Sequence, residues 1–308
     1  MPAPMGPGRP ATAAPVWLKA APAVFLLLWS GGFAFAKIGL DHAPPMTFLA
    51  LRYWFAIVVL LAVLIVIRPP VPRRASDWGH LIVVGVLVQG LYFGLSYFGF
   101  WLGVTAGTLA LIVSMQPILV GLLAPQFVAE RVGMARWLGL VLGLIGAAMV
   151  IVARSEIEAT SAAGLLCAAG ALFAMTAGTL YEKRFGLNHH PVTANAIQYL
   201  VGFLLVLPLA LAVEHMAVDW TAEFAVALGY LVIGNSLIAV TLLLTMIRHG
   251  EAARVSALLF MVPPMAALIA WGLIGEVMPP AAWAGMGVAA AGVALATRKA
   301  GRQIAGPA

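Results

Sequence analysis

A chain of 308 residues that is 63% hydrophobic and only 9% charged, with a mean hydropathy of +1.03, has too little polar surface to be a water-soluble domain, since soluble domains run at roughly half apolar and a quarter charged. The net charge of +6 is not gathered into a basic cluster, which leaves nucleic-acid binding without support. The single cysteine, Cys167, rules out an intrachain disulfide or a thiolate metal centre and reads as a small buried hydrophobe.

Residues 1–15, rich in Pro, Ala and Gly, lack periodicity and bulky side chains and read as a disordered tail. The apolar run that starts near Val16 is too long for a signal-peptide core and leads directly into further spans, so it reads as the first membrane helix. With it, the apolar runs lie at about 18–40, 45–67, 78–101, 104–128, 133–152, 160–183, 190–213, 221–247, 252–275 and 280–297. Each meets the roughly 20 residues needed to cross a bilayer. The expectation is an all-α integral membrane protein of ten transmembrane helices, because the alternating ten-residue pattern of a membrane β-barrel is missing.

The ten runs are two copies of one five-helix unit. Offset by 146 positions, Lys37 falls on Lys183, Pro45 on Pro191, Tyr53 on Tyr199, Pro117 on Pro263, Glu130 on Glu276 and Trp137 on Trp283. The units are expected at 16–155 and 156–299, with 300–308 as a cytoplasmic tail. An odd number of spans per unit makes the second copy cross in the opposite sense to the first, the inverted-repeat arrangement that suits alternating access. The even-numbered connections and the termini carry fourteen Lys and Arg against two, Lys37 and Arg154, in the odd-numbered ones. By the positive-inside rule both termini are then cytoplasmic, in a multi-pass protein whose basic connections contact lipid headgroups.

The chain is poor in catalytic equipment. His42, His80, His189, His190, His215 and His249 all fall at span ends or in loops, and no zinc-protease, phosphate-loop or nucleophile-elbow motif occurs. No cofactor or metal is expected, and an enzyme is not. The carboxylates likewise fall near predicted interfaces, so proton coupling would use an acid near a helix end or a proton carried on the substrate, and uncoupled diffusion stays open.

Arg52 lies about seven residues into the second span, roughly 10 Å along the helix axis. A charge at that depth costs about 2.5 to 3.5 kcal/mol and calls for an interior partner. It reads either as a clamp on a substrate carboxylate or phosphate, or as an arginine that ties down structure or reaches outward. Gln198 is its repeat partner. Gln89, Ser96, Gln116, Asn235 and Ser236 are further polar groups within spans, which must face other helices or a wet cavity because lipid offers no hydrogen bonds. Trp29, Phe33 and Lys37 share one stripe, as do Tyr97 and Trp101, and an apolar or aromatic substrate could stack on such a surface. Trp78, Trp137, Trp220 and Trp283 read as interface anchors. The expected substrate site is therefore Trp29, Arg52, Gln89, Gln116, Gln198 and Asn235, with Lys37 and Lys183 as gates and Pro117 and Pro263 as matched helix kinks. Glycines in spans five and ten, Gly139, Gly143, Gly146, Gly285, Gly287 and Gly292, mark close helix packing within the chain or across a homodimer.

The stretch LLLWSGGFAFAKIGLDHAPPMTFLALRYWFA, from Leu26 to Ala56, resembles the opening of the EamA-type carriers of the drug/metabolite transporter superfamily. AERVGMARWLGLVLGLIGAAMVI, from Ala129 to Ile151, is similar to the Glu-containing end of the family repeat, and IGEVMPPAAWAGMGVAAAGVALA, from Ile274 to Ala296, to its second copy. The resemblance implies a ten-helix inner-membrane carrier that holds a small metabolite, such as an amino acid or its derivative, in a cavity between the halves and exports it. A drug or cation efflux carrier of the same fold, or a non-transporting scaffold, is the alternative. The second copy departs from the pattern where Met175 replaces Trp29 and Gln198 replaces Arg52.

Overall fold

The computed structural model describes residues 20–104, 106–128, 132–154, 161–186, 189–249, 252–274 and 278–297. Among them there are helices and no strands. Nine helices are long and apolar enough to cross a membrane: α1 (Ala21–Leu40), α2 (Pro45–Ile67), α3 (Ala75–Trp101), α4 (Thr108–Phe127), α5 (Met134–Ala153), α6 (Ala162–Phe185), α7 (Pro191–Val213), α8 (Ala222–His249) and, last in the chain, α10 (Pro280–Thr297). Between the last two lies a shorter apolar helix, α9 (Val255–Ile269). Most ends fall within two or three residues of the runs expected from hydropathy.

Local chemistry explains the starts. Pro45 and Pro191, repeat partners, each sit at the first helical turn of α2 and α7, where a missing N–H is harmless and a fixed φ helps. Ser161 caps α6 by accepting from the Gly164 amide at 3.0 Å, and Thr221 caps α8 through the Phe224 amide at 3.1 Å. The N-terminus of α2 is capped from afar. The Glu214 carboxylate, just past α7, accepts from the amides of Met46 (2.8 Å) and Thr47 (2.7 Å) and from the Thr47 hydroxyl (2.7 Å), a negative charge at the positive end of a helix dipole.

The two halves share matching irregularities. α3 winds as a π-helix over Val86–Phe93 and α8 over Leu231–Ala239, stretches that nearly coincide under the 146-residue offset. In α4 the chain turns at Ser114 and Met115 before resuming at Gln116–Phe127, and α9 tightens into a 3₁₀ turn over Leu258–Met261 before Val262. Pro117 and Pro263 thus follow the breaks and sit in the first turn of the resumed helices. At the first turn of a resumed helix the missing N–H of proline is tolerated.

The glycine stripes face each other inside the chain. α5 and α10 pack so closely that a β-carbon added at Gly285 would lie 2.8 Å from the Met149 β-carbon and 2.9 Å from the Gly146 carbonyl oxygen. Added β-carbons at Gly139, Gly146 and Gly292 would meet partner-helix backbone at least as closely, whereas Gly287 faces open space. Gly139, Gly146, Gly285 and Gly292 are thus used between α5 and α10, while Gly143 faces the Phe260 ring of α9.

Contacts between connections define two opposite rims. At one, the Asp219 amide donates to the His42 carbonyl at 2.9 Å beside the Glu214 cap. At the other, the Thr193 hydroxyl donates to the Pro70 carbonyl at 3.2 Å and Arg184 to the Phe127 carbonyl at 3.3 Å. Between the rims lies an aromatic-rich core that includes Phe25, Trp29, Phe48, Tyr53, Phe93, Tyr199 and Phe224. Trp78, Trp220 and Trp283 are exposed near helix ends, as anchors would be, and Trp137 is half-buried against α9 and α10.

Candidate functional site

Every polar side chain expected in the interior is there: Arg52, Gln89, Gln116, Gln198 and Asn235 are all buried, as is Trp29. They fall into three neighbouring groups, which are linked through Thr179 and Phe93.

The first group is centred on Arg52. Its Nε donates to the Ser236 hydroxyl at 2.8 Å and its NH2 donates to the Asn235 side-chain carbonyl at 2.7 Å. Its guanidinium carbon lies 4.8 Å from the centroid of the Phe93 ring, within cation–π range. Asn195 of α7 extends the network, its side-chain amide donating to the Ser236 carbonyl at 3.0 Å and to the Thr241 hydroxyl at 3.1 Å. The π-helical winding of α8 carries both Asn235 and Ser236 toward α2. Arg52 therefore joins the first half of the chain to the second.

The second group is centred on Gln116, whose amide donates to the hydroxyls of Thr179 (3.2 Å) and Ser256 (3.4 Å). It too bridges the halves, from the break in α4 to α6 and α9. Gln89, the repeat partner of Asn235, packs against Gly202 of α7, and its backbone carbonyl accepts from the Tyr53 hydroxyl at 2.8 Å. Its side-chain amide makes no hydrogen bond of acceptable geometry among the described residues.

The third group surrounds a narrow slot lined by Trp29 of α1, Val84 and Val88 of α3, Met175, Thr179 and Glu182 of α6, Gln198 of α7 and Leu244 of α8, among others. Both halves contribute walls. Its open volume is about 20 Å³, room for about one water molecule. Of the six residues expected in the site, only Trp29 and Gln198 line this slot. Trp29 is wedged between Phe25 (centroids 5.3 Å apart) and Phe93 (6.2 Å), the ring that also carries Arg52.

One charged pair was not foreseen. Glu182, 1% exposed, accepts from Arg248 Nε at 2.7 Å, and Arg248 NH1 also donates to the His189 carbonyl. By sequence both residues lie at span ends and read as ordinary interfacial charges. They stand 66 positions apart at the ends of spans six and eight, which leave the bundle on the same side; opposite charges so placed are the signal that could have flagged them.

Lys183 is half-buried beside Glu182 on α6, toward one rim, and Lys37 lies toward the end of α1 that meets the other. The side chain of Lys37, with that of Phe33, and residues Glu130 and Glu276 lie outside the described residues. Tyr97 and Trp101 do not form a shared lining, since Tyr97 is buried and Trp101 is exposed. Ser96 spends its hydroxyl on the Tyr92 carbonyl of its own helix at 2.7 Å. Among the described residues no cluster of His, Cys, Asp or Glu could hold a metal ion.

The profile of the EamA-like transporter family matches the chain twice, over residues 20–152 and 162–298. A protein of Streptantibioticus cattleyicolor named "Probable terminal-alkyne amino-acid exporter" is 27% identical over 279 residues, covering 89% of this chain and 91% of that one. An Escherichia coli K12 protein named "Uncharacterized inner membrane transporter YedA" is 24% identical over 274 residues, 88% of this chain and 87% of its own. A solved crystal structure aligns over 91% of this chain and 97% of its own with a TM-score of 0.78 at 19% identity, which places the fold. Matched along nearly its whole length and in both halves, this chain belongs to the EamA-like transporter family and is a multi-pass inner-membrane protein.

Proposed function

We propose that this protein is a secondary transporter that exports small metabolites, such as amino acids or their derivatives, by alternating access between two inverted five-helix halves. The observation that carries this reading is the narrow slot walled by both halves and lined by Trp29 and Gln198. A 20 Å³ void cannot hold a metabolite, so loading requires the halves to part, the rocking motion that inverted repeats permit. The matching π-helical and broken segments support the duplication behind that motion, and the exporter name of one relative supports the substrate class.

In this reading Trp29 and Gln198 touch substrate. Arg52 with Asn235 and Ser236, and Gln116 with Thr179 and Ser256, hold the halves in the closed arrangement. Gln89 stands beside the path. Lys37 and Lys183, near opposite rims, are the gate candidates, and the breaks before Pro117 and Pro263 are the hinges. Repeats at 16–155 and 156–299 move as units.

Proteoliposomes loaded with unlabelled amino acids should show saturable counterflow of one class of labelled substrate, and imposing a pH gradient should reveal whether a proton is coupled. Inserted, folded protein that passes no member of the panel would defeat the exporter reading.

The Lys and Arg distribution supports cytoplasmic termini. In a Cys167→Ala background, a cysteine introduced at exposed Val71 should react with a membrane-impermeant maleimide only from the cytoplasmic side. One introduced at exposed Ala217 should react only from the outside. The reverse pattern would invert the assigned orientation.

A further inference from the structure

Arg52 directs its Nε and NH2 at Ser236 and Asn235, so two of its donors are engaged in joining α2 to α8. The slot itself has the opposite character. Glu182 is the one charged residue lining it, and only one of that carboxylate's oxygens is used: Oε1 accepts from Arg248, while Oε2, buried, has no hydrogen-bond partner among the described residues. A carboxylate can accept about four hydrogen bonds. Arg248 approaches with Nε alone, not with the two-pronged fork that would satisfy both oxygens, and its NH2, also buried, has no hydrogen-bond partner among the described residues.

Gln198 lines the same slot at 0% exposure, and neither its carbonyl oxygen nor its amide nitrogen has a partner among the described residues. Around one slot there are thus two unsatisfied acceptors, one of them anionic, and one unsatisfied donor. An ammonium group brings three donors and no acceptor. The remaining walls, Trp29, Met175 and the valines and leucines of α3 and α8, suit an apolar or aromatic body.

Resting on the transporter reading above, we propose that Glu182 is the amine receptor of the site: Oε2 takes the ammonium group of the substrate, Gln198 bonds the polar group next to it, and Trp29 packs against the apolar remainder. Arg248 is a positioning residue. Its Nε contact, with its own NH1 tied to the His189 carbonyl, holds Oε1 and leaves Oε2 without a protein donor. The chain then selects amine-bearing molecules, and a free carboxylate on the substrate is not required.

The test uses the full-length protein in detergent and four probes that share one aromatic body: phenethylamine, L-phenylalaninamide, L-phenylalanine and 3-phenylpropionate. Binding is read by calorimetric titration at neutral pH. The three amines should bind at least tenfold more tightly than 3-phenylpropionate. Glu182→Gln should weaken the amines tenfold or more. Arg248→Met, which leaves the carboxylate without its cation, should keep amine binding at least as tight as in the original protein.

Where Glu182→Gln is poorly folded because Arg248 is stranded, the double variant Glu182→Gln/Arg248→Met removes both charges and should fold yet still lose the amines. Equal binding of 3-phenylpropionate, no binding of any amine, or full amine binding by the double variant would overturn the assignment. Counterflow of the amino-acid panel on the same preparation separates the two claims. Counterflow together with amine-blind binding removes only the role of Glu182, whereas amine binding with no counterflow removes the carrier reading itself.

Discussion

Replacing Arg52 with alanine should lower both the thermal stability and the transport rate of the protein. The guanidinium is 2% exposed and its two short hydrogen bonds, to Ser236 and Asn235, cross from the first half of the chain to the second. Hydrogen bonds to a charged group contribute about 1.5 to 3 kcal/mol each, and the Asn235 carbonyl would be left buried without that donor. A loss on the order of 3 to 5 kcal/mol follows. It should appear as a fall of the unfolding midpoint in detergent and at least a tenfold fall in counterflow per inserted molecule. Lysine should not rescue, because a point charge on a single stem cannot serve two acceptors in the geometry of a fork. Arg52→Met combined with Asn235→Leu and Ser236→Ala should recover much of the stability, since removing a donor together with its acceptors leaves nothing unsatisfied. If Arg52→Ala melts like the original protein while transport fails, Arg52 is a substrate clamp and not a tie between the halves.

Gly146→Leu should be the most disruptive single change in the scaffold. A β-carbon there would run into the backbone of Ala289 and Gly285 on α10, and backbone cannot swing aside as a flexible side chain can. Overpacking costs about 1 to 3 kcal/mol in an ordinary core. The cost should reach or exceed the upper end here, because pushing α5 from α10 forfeits contacts along the whole glycine seam and in lipid no hydrophobic gain offsets that loss. The expected result is a sharp drop in monodisperse protein and in the unfolding midpoint. Gly287→Leu, on the partner helix α10 but facing open space, should leave both unchanged. If the two variants behave alike, the seam is not what holds these helices together.

How far the sequence could be read depended on the range of the interaction involved. The α2 span expected at 45–67 is found at Pro45–Ile67, and the last span, expected at 280–297, at Pro280–Thr297. Both ends of such helices are marked locally, by hydropathy and by a proline at the first turn. The burial of Arg52, Gln89, Gln116, Gln198 and Asn235 was equally legible, because a polar group in a span has nowhere else to go. The π-helical stretches in α3 and α8 were not. No residue pattern in VLVQGLYF or LVIGNSLIA announces the wider turn.

The composition and the 146-residue offset by themselves determined that the chain is a duplicated bundle of membrane helices with a polar interior, since hydropathy and repetition are properties of the chain taken residue by residue. Only the tertiary structure decided the partners. Arg52 meets Asn235 across 183 positions, Glu182 meets Arg248 across 66, and Gly146 meets Ala289 in a seam inside one molecule and not between two. These pairings depend on the angle and depth at which whole helices cross, quantities set by the summed packing of many side chains. For that reason the sequence could say which groups must be satisfied, and the fold alone could say by what.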